Sequence, residues 1–197
     1  GHRYLSQAAE SGAFCLVVEH VETGLNVPQL VVENSRRAYG LIARAWRRRF
    51  GIALTAVGGS NGKTTTTQMM KAILAAHWGV QNIHATEGNF NNDVGVPHTL
   101  LGLHCGCRAA VVEAGMNHRG EMADWIRPTV VLMTNAQREH QAYLETVAEA
   151  AFENGLLIAA LPNDGVAVYP ADDPCADVWA SYALARGVRT LTYATAE

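Results

Sequence analysis

The stretch VGGSNGKTTT at residues 57–66 decides the fold, because it places a turn of small residues between a strand pattern and a helix pattern. Apolar and β-branched residues at 52–57 indicate a buried strand, and the apolar spacing at 69–74 is typical of a helix. A tight turn between them directs backbone N–H groups, and the positive end of the following helix, at a bound phosphate. The stretch therefore predicts a binding site for a nucleotide triphosphate, which we take to be ATP.

Two side chains in this stretch have specific predicted roles. The ammonium group of Lys63 supplies a cation for the outer phosphates, and the hydroxyl of Thr64 is placed to bind Mg²⁺. The general pattern GxxxxGK[ST] requires glycine where this chain has Val57, so the sequence carries the shorter form G-x-x-G-K-T. The residues of this stretch that are predicted to bind the nucleotide are Gly59, Ser60, Asn61, Gly62, Lys63, Thr64 and Thr65.

The composition is that of a globular protein with no sign of a nucleic-acid or membrane partner. The 197 residues are 49% hydrophobic and 17% charged, and the formal net charge of −3 gives no overall attraction to nucleic acid. No apolar run reaches the 18 residues that a membrane-spanning helix needs, and the opening residues are not a signal peptide. The four cysteines are too few and too scattered for a disulfide framework. We therefore expect a cytoplasmic protein, which we take to be a monomer.

Strand and helix patterns alternate along most of the chain. Residues 1–50 form a small separate unit, with a helix at 4–12, strands at 14–19 and 30–32, and a helix that Ser35 caps and that runs to about Arg49. From residue 52 onward, the predicted strands are 52–57, 81–84, 109–113, 129–133, 165–169 and 189–193, and the predicted helices are 63–77, 120–126, 144–160 and 174–185. This alternation predicts an α/β fold with a mostly parallel sheet and helices on both faces.

Three further groups of polar residues follow predicted strands: the asparagines of TEGNFNNDVGVP (86–97), Glu113 and His140. The carboxyl ends of parallel strands lie at one edge of a sheet, where open α/β folds bind ligands. We therefore expect the asparagines to contact a polar substrate, and Glu113 and His140 to share a metal site. Each group alone also fits a simpler role, as a loop, as a carboxylate that caps the next helix, or as a surface histidine.

Two other clusters do not indicate a functional site. The run His104-Cys105-Gly106-Cys107 has no second pair of ligands at zinc-like spacing, so we interpret it as a linker before a strand. Four arginines near a predicted helix C-terminus form a typical solvated face rather than a nucleic-acid site, namely Arg44, Arg47, Arg48 and Arg49.

Four segments of the chain resemble the Mur ligase family of peptidoglycan synthesis. They are GGSNGKTTT (58–66), TEGNFNNDVGVPHTLL (86–101), VEAGMNHRGEM (112–122) and TNAQREH (134–140). The second and third segments are similar to the family member that adds D-alanyl-D-alanine to UDP-MurNAc-tripeptide. The resemblance implies that ATP phosphorylates the terminal carboxylate of the tripeptide. The amine of D-alanyl-D-alanine then attacks this acyl phosphate, and ADP and phosphate leave.

The resemblance also assigns roles to single residues. The residues that match catalytic positions are Lys63, Glu113 and His140, and those that match metal ligands are Thr64, Glu113 and His140. The residues that match the substrate-binding positions are Asn89, Asn91, Asn92 and Asn117, and Asn135 matches a nucleotide-binding position.

One feature of the family is missing from this sequence. Many Mur ligases have a carbamylated lysine beyond the position of His140, and an ungapped alignment places Asn154 there. Either a neutral amide replaces the carbamate in organising the metal, or this copy is impaired. We favour the first interpretation because the other motifs are intact.

The resemblance further implies a division into domains. Residues 1–50 match part of an N-terminal uridine-nucleotide (UDP-MurNAc) domain, and residues 51–197 match an incomplete central ATP-binding domain. The family's C-terminal dipeptide-binding domain has no counterpart, so we expect this chain alone to bind ATP without completing the amide bond. The alternatives are another Mur-type or a folylpolyglutamate-type ligase, against which the segment NFNNDVGVP argues, and a non-catalytic nucleotide-binding fragment.

Overall fold

The computed structural model describes residues 2–115, 121–137 and 146–194. The predicted substrate residue Asn117 and the predicted metal ligand His140 lie outside these ranges. Within them, no helix is long and apolar enough to cross a membrane.

The first unit of the chain contains two short parallel strands and two helices. A 3₁₀ turn (His2–Tyr4) leads into α1 (Leu5–Glu10), which is followed by β1 (Leu16–Val18), β2 (Gln29–Val31) and α2 (Ser35–Arg47). The predicted cap of α2 is wrong by one residue. The side chain of Asn34 accepts the N–H of Arg37, while Ser35 is the first helical residue and donates its hydroxyl to Glu19. Asparagine and serine are equally good N-caps, so sequence does not separate them.

In the described residues after α2, a six-stranded, fully parallel sheet forms the fold. Its strands are β3 (Ala53–Gly58), β4 (Ile83–Ala85), β5 (Ala109–Glu113), β6 (Val130–Met133), β7 (Val166–Pro170) and β8 (Arg189–Tyr193), in the order β4-β5-β3-β6-β7-β8. The connecting helices are α3 (Lys63–Trp78), α4 (Gly95–Leu101), α5 (Glu121–Ile126), α6 (Val147–Ala159) and α7 (Ala176–Arg186), with a 3₁₀ turn at Val80–Asn82. The predicted parallel α/β fold is confirmed.

Helices cover both faces of this sheet, as predicted. On β3, Leu54 and Ala56 point into the larger core, to which helices α2, α4, α5, α6 and α7 contribute. Val57 points to the other face, where it packs with Met70 and Leu74 of α3. Successive side chains of β3 point to opposite faces because a strand has a two-residue period. Among the described helices, α3 alone packs on the second face.

Helix α2 packs on the helices of the large sheet. A Cβ at Gly40 would lie 2.3 Å from the ring of Trp125 on α5, so only glycine allows this approach. The indole N–H of Trp46 donates to the carbonyl of Leu103 at 2.9 Å. Helix α2, the last helix of the predicted first unit, therefore packs against the unit that contains the large sheet.

The segment at 86–97, for which a loop is the simpler interpretation of the sequence, contains the start of helix α4. This helix begins at Gly95 and continues through Pro97. Proline is tolerated there because the first N–H groups of a helix have no partner within the helix. The density of turn-forming residues before Gly95 conceals the helix in the sequence.

The basic end of α2 is not wholly solvated, contrary to the prediction. Arg47 is 5% exposed, and its guanidinium group donates to the carbonyls of Phe50, Ile52, Ile126 and Arg127. It thus joins the end of α2 to the start of β3 and the end of α5. Such a buried role has no periodic signal, because neighbouring arginines in the same run remain exposed.

Strand β4 carries a half-buried histidine whose lowered pKa predicts that stability depends on pH. Burial lowers the pKa of His84 from 6.5, and its Nε2 bonds to the carbonyl of Thr99 at 2.7 Å. The folded state favours the neutral ring. The stability that His84 contributes is therefore fully present above the unfolded pKa of 6.5, and it is lost as pH falls below that value.

We therefore expect the free energy of unfolding to fall more steeply between pH 7 and pH 5 in the wild type than in His84→Gln. Urea denaturation at several pH values measures this difference. His77→Gln, at an exposed position on α3, is the matched control and should keep the wild-type slope. Equal slopes for wild type and His84→Gln would contradict the assignment.

Candidate active site

The candidate site lies at the carboxyl edge of the sheet. Strands β5, β3 and β6 are neighbours, so the segments that follow Glu113, Gly58 and Met133 emerge side by side. In open parallel sheets this edge binds ligands. The sheet order thus brings three of the predicted motifs together.

Two glycines give the loop after β3 its shape. Gly59 has φ +109° and Gly62 has φ +80°, backbone angles that residues with a side chain rarely adopt. A Cβ on Gly59 would lie 2.3 Å from Oγ1 of Thr134 and 2.9 Å from the carbonyl oxygen of Asn135. Val57 departs from the general glycine pattern because it is still a buried residue of β3.

The first three N–H groups of the loop bind protein acceptors. Gly59 donates to Oδ1 of Asn154 at 3.1 Å, Ser60 donates to the carbonyl of Asn135 at 2.9 Å, and Asn61 donates to Oδ1 of Asn135 at 3.0 Å. The expectation that these N–H groups point at the phosphates is therefore wrong for this conformation. Helix α3 begins directly after the loop, and its first N–H groups have no acceptor within the helix, so they are the candidates for binding phosphate.

Side chains of the same loop brace it against the segment after β6. The hydroxyl of Ser60 donates to the carbonyl of Gln137 and accepts its N–H, both at 2.9 Å. The amide of Asn61 donates to Oε1 of Gln137 at 2.6 Å, and the amide of Asn135 donates to the carbonyl of Asn61 at 3.1 Å. The structure gives these residues a scaffolding role, and their direct contact with a nucleotide stays a prediction.

Lys63 opens helix α3 and is only 8% exposed. Its ammonium group donates to the carbonyls of Gly59 at 2.6 Å and of Ser60 at 2.8 Å. These bonds hold a positive charge inside the curve of the loop, beside the positive end of α3. Thr64 and Thr65 follow in the first helical turn and are exposed. Positive charge and N–H donors at one point favour a polyanion.

Glu113 ends β5 and is 1% exposed. Its Oε1 accepts the hydroxyl of Thr64 at 3.1 Å and the amide of Asn91 at 2.7 Å. Its Oε2 is buried and has no hydrogen-bond partner among the described residues, and no basic side chain there forms a salt bridge with it. A buried carboxylate in this state is costly unless a cation partners it.

This carboxylate fits Mg²⁺. Carboxylate and hydroxyl oxygens are the ligands that Mg²⁺ uses, usually together with phosphate oxygens and water. Thr64 belongs to the phosphate loop, so its bond with Glu113 connects the two parts of such a site. No group of three histidine, cysteine or acidic side chains surrounds a single point in the described ranges, so nucleotide phosphates and water would complete the coordination.

The three asparagines after β4 have different surroundings. Asn91 reaches the carboxylate of β5, and its carbonyl also accepts a backbone N–H from Gly115 at 2.7 Å. Oδ1 of Asn92 accepts the N–H groups of Val94 at 3.1 Å and Gly95 at 2.8 Å, so it fixes the start of α4. Asn89 is exposed. The substrate roles of all three stay predictions, as do those of Asn117 and His140 outside the described ranges.

Sequence reasoning missed two residues that support the site. Oγ1 of Thr86 accepts the N–H of Glu113 at 3.0 Å. Asp173, which follows β7, accepts the N–H groups of Ala136 and Cys175 at 2.8 Å each. Thr86 begins the segment 86–97, and Asp173 lies at the carboxyl edge of the sheet. Searching every predicted strand end for polar residues would have found both.

The parallel sheet and its strand-loop-helix with a buried lysine define an α/β protein of the phosphate-loop class. Comparison with known proteins identifies the family within this class. Residues 57–197 match the model of the Mur ligase middle domain. The chain therefore belongs to the Mur ligase family.

Individual relatives agree with this family. The chain is 37% identical over 183 residues to the UDP-N-acetylmuramoyl-tripeptide–D-alanyl-D-alanine ligase of Haemophilus influenzae, covering 90% of this chain and 40% of that protein. The crystal structure of MurF from Acinetobacter baumannii is 28% identical with TM-score 0.85, covering 97% of this chain and 42% of that one. MurF from Thermotoga maritima in complex with ADP shares the fold, with 23% identity and TM-score 0.82 over 100% of this chain and 45% of that one. The chain thus spans about two fifths of the length of these relatives.

Proposed function

We propose that this chain is the nucleotide-binding part of an ATP-dependent ligase that joins D-alanyl-D-alanine to UDP-MurNAc-tripeptide in peptidoglycan synthesis. The observation that carries the proposal is the buried Glu113, whose carboxylate binds the phosphate-loop Thr64 and the Asn91 of the segment after β4. This contact unites three of the four segments that resemble the family. The ligase names of the matched relatives support the same assignment.

The charges at the site suit the first step of such a reaction. Transfer of a phosphoryl group to a carboxylate brings two anions together, so the barrier falls when positive charge is fixed in advance where negative charge develops. Lys63 and the N–H groups at the start of α3 supply fixed positive charge for the phosphates. Glu113 and Thr64 would hold Mg²⁺, which neutralises phosphate charge when it is bound.

The hydrogen bonds around the phosphate loop fix its orientation. Ser60, Asn61 and Asn135 are tied to one another and to Gln137, so the loop keeps one curvature. A loop that is rigid before binding loses little further entropy when the nucleotide arrives. The carboxylate of the tripeptide would approach from the side of Asn91, beside the metal ligand.

The remaining assignments complete the proposal. Residues 1–50 belong to the uridine-nucleotide domain and residues 51–197 to the central ATP-binding domain, although α2 packs on both units. The partners are ATP, Mg²⁺, UDP-MurNAc-tripeptide and D-alanyl-D-alanine. The protein acts in the cytoplasm as a monomer.

Phosphate release from ATP, measured with each substrate in turn, tests this function. We expect this chain by itself to bind ATP and to form no pentapeptide. When it is joined to a C-terminal dipeptide-binding domain of the family, phosphate should be released only if UDP-MurNAc-tripeptide and D-alanyl-D-alanine are both present, with pentapeptide detected by mass spectrometry. UDP-MurNAc-dipeptide with a free amino acid is the matched control for other Mur-type reactions. Release with that pair, or with a folate and glutamate, would assign the protein to another ligase.

A further inference from the structure

We propose that Asn154 is a positioning residue for the phosphate loop, acting through the Gly59 peptide rather than on the metal. This inference rests on the proposed nucleotide function. Asn154 occupies the position where the family resemblance expects a carbamylated lysine. Its role here follows from where its neutral amide points.

The helix that carries Asn154 is fixed at its beginning. Thr146 and Glu149 form a capping box, in which the Thr146 hydroxyl accepts the Glu149 N–H and the Glu149 carboxylate accepts the Thr146 N–H. Asn154 lies two turns further along α6 and is 2% exposed. Its Nδ2 donates to the carbonyl of Ala150 at 2.8 Å, one turn earlier. That bond orients the amide, so that its Oδ1 accepts the N–H of Gly59 at 3.1 Å.

The Gly59 residue is held at both ends. Its N–H binds Asn154, and its carbonyl accepts the ammonium group of Lys63 at 2.6 Å. Its φ of +109° is compatible with glycine, which also has the widest freedom to rotate when a restraint is lost. Asn154 therefore fixes the Gly58–Gly59 peptide on one side of this flexible residue. The next peptide, whose carbonyl contacts Lys63, is held by the bond from the Ser60 N–H to the carbonyl of Asn135.

With the acceptor from α6, all three of the first N–H groups of the loop have a protein acceptor. The neighbouring N–H groups of Ser60 and Asn61 are bound by Asn135, which belongs to the segment after β6. Asn154 supplies an acceptor from a different element, so the loop is anchored on two sides. Because an amide is neutral, it anchors the loop without placing negative charge beside the phosphates. The cation site keeps Glu113 as its buried carboxylate.

Two substitutions of Asn154 separate positioning of the loop from organisation of the metal. Asn154→Ala leaves the buried N–H of Gly59 without its acceptor, and we expect ADP to bind about three- to tenfold more weakly at saturating Mg²⁺. Asn154→Asp is nearly isosteric, but it adds negative charge near the phosphates and loses the donor to Ala150. We expect it to weaken ADP binding further. The Mg²⁺ concentration for half-saturation, at saturating ADP, should change less than twofold in both variants.

Calorimetric titration of ADP and of Mg²⁺ measures the two quantities. Ile158→Val is the matched control, because it loosens the packing of the same helix at a fully buried position without a loop contact among the described hydrogen bonds. It should lower the unfolding temperature and leave ADP affinity unchanged. If Asn154→Ala does not fold, Asn154→Asp carries both measurements.

Two results would overturn the inference. The first is wild-type ADP affinity in Asn154→Ala or Asn154→Asp. The second is a shift in Mg²⁺ half-saturation with unchanged ADP affinity, above all tighter Mg²⁺ binding in Asn154→Asp, which would make Asn154 part of the metal site. Failure of the wild-type protein to bind ADP would instead contradict the proposed function and is seen in the same titration.

Discussion

Replacing Lys63 with alanine should weaken nucleotide binding at least tenfold. Lys63 contributes a charge-assisted contact with phosphate, and such hydrogen bonds contribute about 1.5–3 kcal/mol. Each 1.4 kcal/mol corresponds to about a tenfold change in affinity. The substitution also removes the bonds from its ammonium group to the carbonyls of Gly59 and Ser60, so the loop loses an internal restraint as well. Calorimetric titration with ADP and Mg²⁺ measures the change.

The second lysine of the chain provides the control for this prediction. The sequence has only Lys63 and Lys71, and both lie on helix α3. Lys71→Ala removes the same charge two turns further from the loop and should leave ADP affinity within about twofold of the wild type. Equal ADP affinity for wild type and Lys63→Ala, with unchanged thermal unfolding, would show that the phosphates bind elsewhere.

Most of the sheet could be predicted from sequence because its inner strands are short apolar runs separated by helix-length segments. Such runs bury both faces of a parallel strand, and β5 shows this, since all five of its residues are buried. Helix α4 could not be predicted from its pattern. It spans seven residues and begins among turn-forming residues, so local composition outweighs its periodicity. Tertiary packing against α2 and β5 stabilises it, and packing of this kind leaves no local signal.

The candidate site was predictable in its position and less so in its contacts. Strand ends identified Glu113 and the asparagines because topology alone places them at one edge. The partners of each amide depend on side-chain directions that sequence does not encode. Asn91 reaches Glu113, whereas Asn92, the next residue, binds the start of α4. The same limit applies to Arg47, which is buried in a run of exposed arginines.

Replacing Glu113 with glutamine should impair Mg²⁺ binding while leaving the fold intact. Glutamine keeps the size of the side chain and an oxygen that accepts from Thr64 and Asn91, but it removes the charge. Loss of residues that only orient metal ligands lowers metal affinity about 10–100-fold, so we expect at least that loss when a ligand itself is replaced. The Mg²⁺ concentration for half-saturation, at a fixed ADP concentration, is the quantity to measure.

The same substitution should have the opposite effect on the protein without metal. The buried Oε2 of Glu113 has no partner among the described residues, so its charge destabilises the metal-free fold. Glu113→Gln should therefore unfold at an equal or higher temperature than the wild type in EDTA, and should gain less stability when Mg²⁺ and ADP are added. Asp164→Asn, an exposed carboxylate in the turn before β7, is the matched control and should respond to Mg²⁺ like the wild type. An unchanged Mg²⁺ response in Glu113→Gln would mean that this carboxylate only holds Thr64 and Asn91 in place. A lower unfolding temperature in EDTA would mean that its charge stabilises the fold without a cation.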